Sequence, residues 1–307
     1  MQQFSWAAPD YLEDQLSQEE RMIRDTARAC AETELQPRVA EAFAQAHTDT
    51  AIFSELGRQG LLGITVPEAF GGAGANYVSY GLVARVVEHV DAGYRLLMSE
   101  RSSLGMYPIH AFGSEVQMAR YFPGLACGEL IGYFGLTEPK ADSDPAGMKT
   151  RARRVNGGYV LTGAKTWSSN APISDVFIVW PPSKVDGGKI RGFMLKKGAK
   201  GLEAPKISGK LSLRVSIAGM FMTDEVLVPD NALVPGVEGR RGLFRCLNRA
   251  RCSVRWDALG TTEFCYPAAR QYGRDRKQFY RWRAPRFTRR SSRTWQRTSP
   301  WIWRWVA

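Results

Sequence analysis

The chain has 307 residues, of which 44% are hydrophobic and 11% aromatic, enough to bury one large or two medium cores. Its formal net charge is +12, but eight arginines and no acid fall in residues 280–307, so the remainder carries only +4. Five cysteines without a CxxC pair, and an N-terminus without a basic flank and apolar run, favour a reduced, cytoplasmic protein over a secreted or membrane-spanning one.

Residues 1–128 are predicted to form an N-terminal helical domain. Two capping boxes, Ser17-Gln-Glu-Glu20 and Ser114-Glu-Val-Gln117, predict helix N-termini, because the serine and the side chain three residues later satisfy free backbone donors. Val78 to Val90 and Tyr94 to Met106 have the apolar spacing of further helices.

The periodicity changes at Gly128, where the last of these helices is predicted to end. Turn signals such as Asn156-Gly157-Gly158 and Asp186-Gly187-Gly188 then separate short β-type runs at hairpin spacing. These runs are 130–136, 159–161, 176–180, 192–195 and 226–228. Residues 129–240 are therefore predicted to be a β domain, either a barrel or a sandwich.

A helical pattern returns from Gly242 to Tyr272, so residues 241–279 are predicted to begin a C-terminal helical bundle that is incomplete. The residues that share its apolar face are Phe244, Leu247, Ala250, Val254, Ala258 and Leu259. The fold class that follows is α+β with several domains.

Common catalytic and metal-binding motifs are absent from the sequence. No G-x-G-x-x-G follows a strand, and neither a phosphate-binding P-loop nor a G-x-S-x-G occurs. His47, His89 and His110 lack metal-ligand spacing, so no metal site is predicted.

Two strings carry the candidate chemistry. Phe134-Gly-Leu-Thr-Glu-Pro-Lys-Ala-Asp-Ser-Asp-Pro145 leaves a strand and offers backbone donors with the hydroxyls of Thr137 and Ser143. Such a loop suits the polar edge of a planar ring and a phosphate, and the alternative is a Pro-rich turn. Lys165-Thr-Trp-Ser-Ser-Asn-Ala-Pro172 ends a strand with a Trp ring and hydroxyls.

The chain resembles the acyl-CoA dehydrogenases. Phe134 to Pro145 is similar to that family's FGLTEPxxGSDP signature, and Gly163 to Asn170 to its G-x-K-x-W-I-T/S-N signature. Other similar segments are Pro67–Gly72, Gly209–Arg214, Arg270–Phe279, Glu88–Arg95 and Phe244–Arg251, and the last two most resemble the glutaryl-CoA dehydrogenase branch.

The resemblance implies a fold of helical, β and four-helix domains in a homotetramer, with FAD between the last two domains. It implies α,β-dehydrogenation of an acyl-CoA thioester, with or without decarboxylation. A glutamate removes the α-proton, the β-hydrogen passes as hydride to FAD, and electron-transfer flavoprotein is the partner.

The resemblance assigns roles by position. Flavin contacts fall on Phe134, Leu136, Thr137, Trp167, Ser168 and Ser169, and phosphate or CoA contacts on Ser143 and on Arg276, the latter toward a neighbouring subunit. Acyl-CoA contacts fall on Phe244, Leu247, Asn248 and Arg251, while Arg95, oriented by Glu88, holds the terminal carboxylate of a glutaryl group. The chain departs from the pattern at Leu96, Asp142 and Arg245, where the family has Ser, Gly and Gly.

The resemblance stops after Phe279, before the helices that carry the family's catalytic glutamate. The base is therefore expected to be missing and dehydrogenation impaired. Residues 280–307 are rich in Arg and Trp without helical periodicity, and they are predicted to be a disordered tail from a frameshifted, truncated gene. The alternative is a non-catalytic flavin or acyl-CoA binding remnant whose basic tail binds nucleic acid or an anionic membrane.

Overall fold

The structure, a computed structural model, describes residues 12–276. The predicted tail, residues 280–307, lies outside this range. The α-helices are α1 (Leu12–Gln15), α2 (Gln18–Cys30), α3 (Val39–Gln45), α4 (Ala51–Arg58), α5 (Tyr77–Val90), α6 (Ala92–Ser99), α7 (Tyr107–Phe112), α8 (Glu115–Cys127) and α9 (Arg240–Asp275). Two π-helical segments, Ala31–Leu35 and Glu100–Met106, continue α2 and α6.

Ten strands follow the first eight helices. They are β1 (Gly132–Gly135), β2 (Arg151–Val155), β3 (Gly158–Ser169), β4 (Val176–Val179), β5 (Pro182–Ser183), β6 (Lys189–Ile190), β7 (Gly192–Lys196), β8 (Leu202–Glu203), β9 (Ala218–Pro229) and β10 (Leu233–Val234). Short 3₁₀ turns cover Glu68–Phe70, Pro145–Gly147, Ala171–Ile173, Lys184–Asp186 and Asp230–Ala232.

Both predicted capping boxes are confirmed. The amide of Glu20 donates to Ser17 Oγ at 3.1 Å, and the amide of Ser17 donates to Glu20 Oε2 at 2.8 Å. Ser114 and Gln117 make the same reciprocal pair at the start of α8. Gly128 ends α8 with φ of 91°, where a Cβ atom would lie 2.2 Å from a backbone oxygen of α4, so this position requires glycine.

The described strands form two sheets and not a closed barrel, so the sandwich alternative is the correct one. One sheet has the order β1-β4-β7-β10, with β1 parallel to β4, and the other has the order β6-β5-β2-β3-β9-β8. Aromatic rings from both sheets meet between them: the ring centroid of Tyr133 lies 5.1 Å from that of Phe177 and 5.2 Å from that of Phe221. The predicted α+β fold class is thus confirmed.

Helix α9 packs along α5, and its buried side differs from its apolar stripe. A Cβ atom on Gly260 would lie 2.2 Å from the carbonyl oxygen of Arg85, which shows how closely the two backbones approach. The buried residues of α9 are Gly242, Leu243, Cys246, Ser253, Asp257, Leu259 and Gly260. Phe244 and Val254, from the predicted apolar face, are exposed. The buried side of α9 is therefore mixed: it includes Leu259 from the predicted apolar face together with small and polar residues such as Ser253, Asp257 and Gly260.

Within residues 12–276 no helix is both long and apolar enough to cross a membrane. The same residues hold no group of three or more His, Cys, Asp or Glu side chains close enough to bind a metal ion. The hydrophobic core of the helical part is formed by buried residues of α2, α4, α5 and α6.

Candidate functional site

The two strings singled out in the sequence lie side by side in the structure. The first leaves β1, and the second is the end of β3. The amide of Thr166 donates to the carbonyl oxygen of Thr137 at 2.9 Å, which joins the two strings directly. Phe134 is buried behind them, with its ring centroid 5.6 Å from that of Trp180.

Trp167 has an unusual backbone conformation and an exposed ring. Its φ is 55°, in the left-handed region that bulky residues avoid, and its side chain is 64% exposed. The pairing of β3 with β9 is irregular between Lys165 and Ser168, so the strand bulges at this residue. A bulge that presents an aromatic face to solvent is typical of a binding site.

The hydroxyl groups around Trp167 differ in whether they already make hydrogen bonds within the protein. Thr137 and Ser169 are half-buried, and neither hydroxyl bonds a residue within the described range. The hydroxyl of Ser168 is buried and shares hydrogen bonds with the Tyr133 hydroxyl (3.2 Å) and the Thr166 carbonyl (3.3 Å). A flavin contact from Ser168 would have to come from its backbone, whereas Thr137 and Ser169 have side chains available.

The remaining residues predicted to contact the flavin or its phosphates lie in different settings. Leu136 is half-buried and Ser143 exposed, both on the loop after β1. Arg276 is exposed at the end of α9, with its guanidinium carbon 5.9 Å from the ring centroid of Tyr272. The structure of one chain does not bring Arg276 into contact with the loop or with Trp167.

A buried ion pair supports both strings. Lys165 Nζ lies 2.9 Å from Glu138 Oε1, and the amides of Lys149 and Thr150 also donate to the Glu138 carboxylate. Burial tends to raise the pKa of Glu138, but these donors and the ammonium outweigh it and hold the pKa below its usual range. Burial lowers the pKa of Lys165, which Glu138 partly opposes. Sequence analysis assigned neither residue a site role.

The residues present fit a flavin, by their chemistry. Trp167 offers an exposed planar face, and Thr137 and Ser169 offer hydroxyls for a polar ring edge. Asn170, the residue after the end of β3, is fully buried with φ of 65°. Its side-chain amide atoms Nδ2 and Oδ1 have no hydrogen-bond partner among the described residues. Buried unpaired amides are rare, so these two atoms are available to a ligand or to a water molecule.

The residues predicted to contact acyl-CoA share one outward face of α9. Phe244, Leu247, Asn248 and Arg251 have the spacing of neighbours on a helix surface. Arg251 Nη1 donates to Asn248 Oδ1 at 2.8 Å, while Phe244 is 37% exposed and Leu247 half-buried. These four residues therefore offer apolar, amide and cationic groups on a continuous surface.

Arg95 lies between two carboxylates where α5, α6 and α9 meet. Its Nε atom is 2.9 Å from Glu88 Oε2 and 2.9 Å from Asp257 Oδ2. Glu88 Oε1 also accepts a hydrogen bond of 2.8 Å from the hydroxyl of Thr261. The structure thus places both Glu88 and Asp257 against Arg95, and sequence analysis missed Asp257.

Two further buried ionisable residues were also missed. Glu100, in the π-helical segment after α6, is fully buried, and burial raises its pKa to about 8 although the backbone of Phe134 donates to it. Its neighbour Arg101 is fully buried over the Phe53 ring, without a hydrogen bond to any residue from 12 to 276. The only sequence signal was a pair of adjacent charges, flanked by Ser99 and Ser102, within a predicted helix.

Comparisons with known proteins show the family of the chain. Residues 17–129 match the family described as acyl-CoA dehydrogenase, N-terminal domain, and residues 133–226 match acyl-CoA dehydrogenase, middle domain. An acyl-CoA dehydrogenase of Bacillus subtilis is 33% identical over 269 residues, which are 87% of this chain and 71% of the relative. The chain belongs to the acyl-CoA dehydrogenase family.

Solved structures of the family are also similar. A glutaryl-CoA dehydrogenase from Mycobacterium smegmatis, in complex with FADH2, has a TM-score of 0.84 and 39% identity over 87% of this chain and 68% of its own. A chain in a structure of the electron-transferring flavoprotein of Acidaminococcus fermentans has a TM-score of 0.85 and 30% identity, covering 95% of this chain and 79% of its own.

Proposed function

We propose that this chain binds FAD and an acyl-CoA thioester as an FAD-dependent acyl-CoA dehydrogenase does, and that the acyl group is a dicarboxylyl chain of the glutaryl type. The observation that carries the proposal is the exposed ring of Trp167, displayed by a left-handed bulge beside the free hydroxyl of Thr137. The similar M. smegmatis enzyme in complex with FADH2 supports the choice of cofactor.

The side chains have distinct roles toward the cofactor in this proposal. Trp167 covers a face of the isoalloxazine ring and excludes water from it, while Thr137 donates a hydrogen bond to the ring edge. Leu136 and Phe134 line the ring, and Arg276 binds the pyrophosphate of the FAD in a second copy of the chain within a homotetramer. When bound, FAD supplies the hydride acceptor that side chains lack.

The thioester lies along α9 in this proposal. Phe244 and Asp257 are separated by roughly 20 Å along the helix axis at 1.5 Å per residue, a span suited to an extended pantetheine and acyl chain. Arg95 Nε contacts the carboxylates of Glu88 and Asp257, and in this proposal the guanidinium binds the carboxylate at the end of the acyl group in place of Asp257. A guanidinium with two adjacent donors binds a carboxylate in a bidentate manner.

Removal of the α-proton requires a carboxylate close to that carbon. Three acids near the site are already paired: Glu138 with Lys165, Glu88 with Arg95, and Glu263 with Arg85. Using any of them as the base would break an ion pair, so we propose that none of these three is the base. Electron-transfer flavoprotein is the proposed electron acceptor, in line with the family resemblance. None of the comparisons supports the alternative of a polyanion-binding remnant.

The test is ligand binding to the full chain, measured by FAD absorbance and by calorimetry with glutaryl-CoA and butyryl-CoA. The proposal predicts a flavin complex that binds glutaryl-CoA more tightly than butyryl-CoA at about pH 6. Arg95→Met should remove that advantage and leave butyryl-CoA binding unchanged. The control is Arg214→Met, which alters an arginine bonded to the Phe43 and Ala44 carbonyls, and it should retain the tighter binding of glutaryl-CoA. If the ratio of the glutaryl-CoA and butyryl-CoA affinities is unchanged in Arg95→Met, the dicarboxylyl assignment is contradicted. If the full chain forms no flavin complex, the proposed function itself is contradicted.

A further inference from the structure

We infer that Asp257 occupies Arg95 in the unliganded protein, so that a dicarboxylyl thioester binds there only as Asp257 takes up a proton. The inference rests on the proposed function for its ligand, glutaryl-CoA. It names Asp257, a residue of α9 outside the predicted substrate-contacting set, as a determinant of specificity and of pH dependence.

The contacts show which of the two acids at Arg95 is held less firmly. Glu88 accepts hydrogen bonds from both Arg95 and Thr261. Asp257 is 3% exposed and 2.9 Å from Arg95 Nε, yet neither of its oxygens has a hydrogen-bond partner in the described part of the chain. Asp257 is therefore the carboxylate that an incoming carboxylate displaces.

The charges at this junction make the displacement depend on protonation. The groups that face Asp257 are the Arg95 cation of α6 and, from α5, the Glu88 carboxylate and the Tyr80 hydroxyl. With both acids ionised, the cluster has one positive and two negative charges. A substrate carboxylate would add a third negative charge in a buried place, where like charges are strongly disfavoured.

A proton on Asp257 removes this conflict. Burial raises the pKa of Asp257 to about 7, Arg95 opposes the rise, and Glu88 adds to it. On binding, the contact between Arg95 and Asp257 breaks, the contact between Arg95 and the substrate carboxylate forms, and one proton passes from solvent to Asp257. The net charge of the junction is then the same as before binding.

An uncharged acyl end has no carboxylate to place against Arg95. A butyryl chain leaves the contact between Arg95 and Asp257 intact and requires no proton. The two thioesters are therefore expected to differ in how their affinities change with pH, and the difference depends on a single side chain.

The test is calorimetry of the full chain with glutaryl-CoA and butyryl-CoA, at about pH 6 and about pH 8, in buffers of different ionisation enthalpy. At pH 8 glutaryl-CoA should bind with uptake of nearly one proton and its Kd should weaken about tenfold per pH unit above 7, whereas butyryl-CoA should show neither effect. Asp257→Asn should abolish the uptake and the pH dependence. Asp275→Asn, on the same helix but exposed, should retain both.

The outcomes separate this inference from the proposed function. Glutaryl-CoA binding without proton uptake, or uptake that persists in Asp257→Asn, overturns the role of Asp257 and leaves the acyl-CoA site intact. Failure of both thioesters to bind overturns the proposed function. Free glutarate then decides the inference by itself: proton uptake on its binding, lost in Asp257→Asn, supports it, and no such uptake overturns it.

Discussion

Lys165 Nζ lies 2.9 Å from Glu138 Oε1, and both side chains are buried, so one ion pair connects the strand that carries Trp167 to the loop that carries Thr137. The backbone bond between Thr166 and Thr137 reinforces the same connection. The relative position of the proposed flavin contacts therefore depends on a buried charge pair outside the set of proposed contacts.

Removing one member of this pair should be costly. Lys165→Met leaves the Glu138 carboxylate buried without its cation, and we expect the free energy of unfolding to fall by about 3–5 kcal/mol. Urea denaturation measures the loss, and FAD affinity should fall with it. Lys189→Met, at an exposed pair with Glu238, should change stability by less than about 1 kcal/mol. Equal effects of the two substitutions would show that the buried pair has no special role.

Glu100 should make stability depend on pH. Its pKa is raised by burial to about 8 in the folded chain, so the folded state retains a proton that the unfolded state releases above about pH 4.5. Stability is therefore full at low pH and is lost as the pH rises toward 8, by about 1.4 kcal/mol per unit. Glu100→Gln should flatten this slope in urea unfolding at pH 5, 6.5 and 8.

The matched control for Glu100 is Glu32→Gln, an exposed glutamate in the other π-helical segment. It should leave the slope as in the unsubstituted chain. Asp257 contributes to the slope in the same direction up to about pH 7, so part of it persists in Glu100→Gln. A slope identical in both variants would contradict a buried, proton-retaining Glu100.

Arg101 should be a site where a substitution stabilises the protein. Its guanidinium is fully buried with no hydrogen-bond partner among residues 12–276, and burial lowers its pKa to about 9. Arg101→Met removes the unpaired charge and keeps the volume, so the free energy of unfolding should rise by about 1–3 kcal/mol. Arg85→Met, which removes the partner of Glu263, should instead lower it. A loss of stability in Arg101→Met would mean that its contact with Phe53 outweighs desolvation.

Local signals in the sequence predicted the features that depend on local chemistry. Both capping boxes and the turn at Gly128 depend on residues a few positions apart. The run at 130–136 was predicted too long, since β1 is Gly132–Gly135. The runs at 159–161 and 226–228 were predicted too short, since they lie inside β3, Gly158–Ser169, and β9, Ala218–Pro229, which pair with each other. Long-range pairing, which sequence periodicity does not show, supplies the extra length.

The motifs of the proposed site could be read from the sequence, whereas the electrostatics of that site could not. The two signature strings led to Thr137 and Trp167, but the left-handed backbone at Trp167 depends on a bulge opposite β9. Asp257 gained a role because it is buried on α9 although it lies outside the predicted apolar stripe. Arg95, which contacts Asp257, is far from it in the sequence, so no local sequence pattern could have connected the two residues.

The most direct test of the proposed flavin site is FAD titration of the full chain and of the Thr137→Ala/Trp167→Ala double variant. Because the two loops supply the proposed ring site, we expect the unsubstituted chain to form a flavin complex and the double variant to bind FAD at least about tenfold more weakly. Leu211→Ala, at an exposed apolar residue elsewhere, should bind as the unsubstituted chain does. A stoichiometric flavin complex with unchanged affinity in the double variant would contradict the assignment of this site.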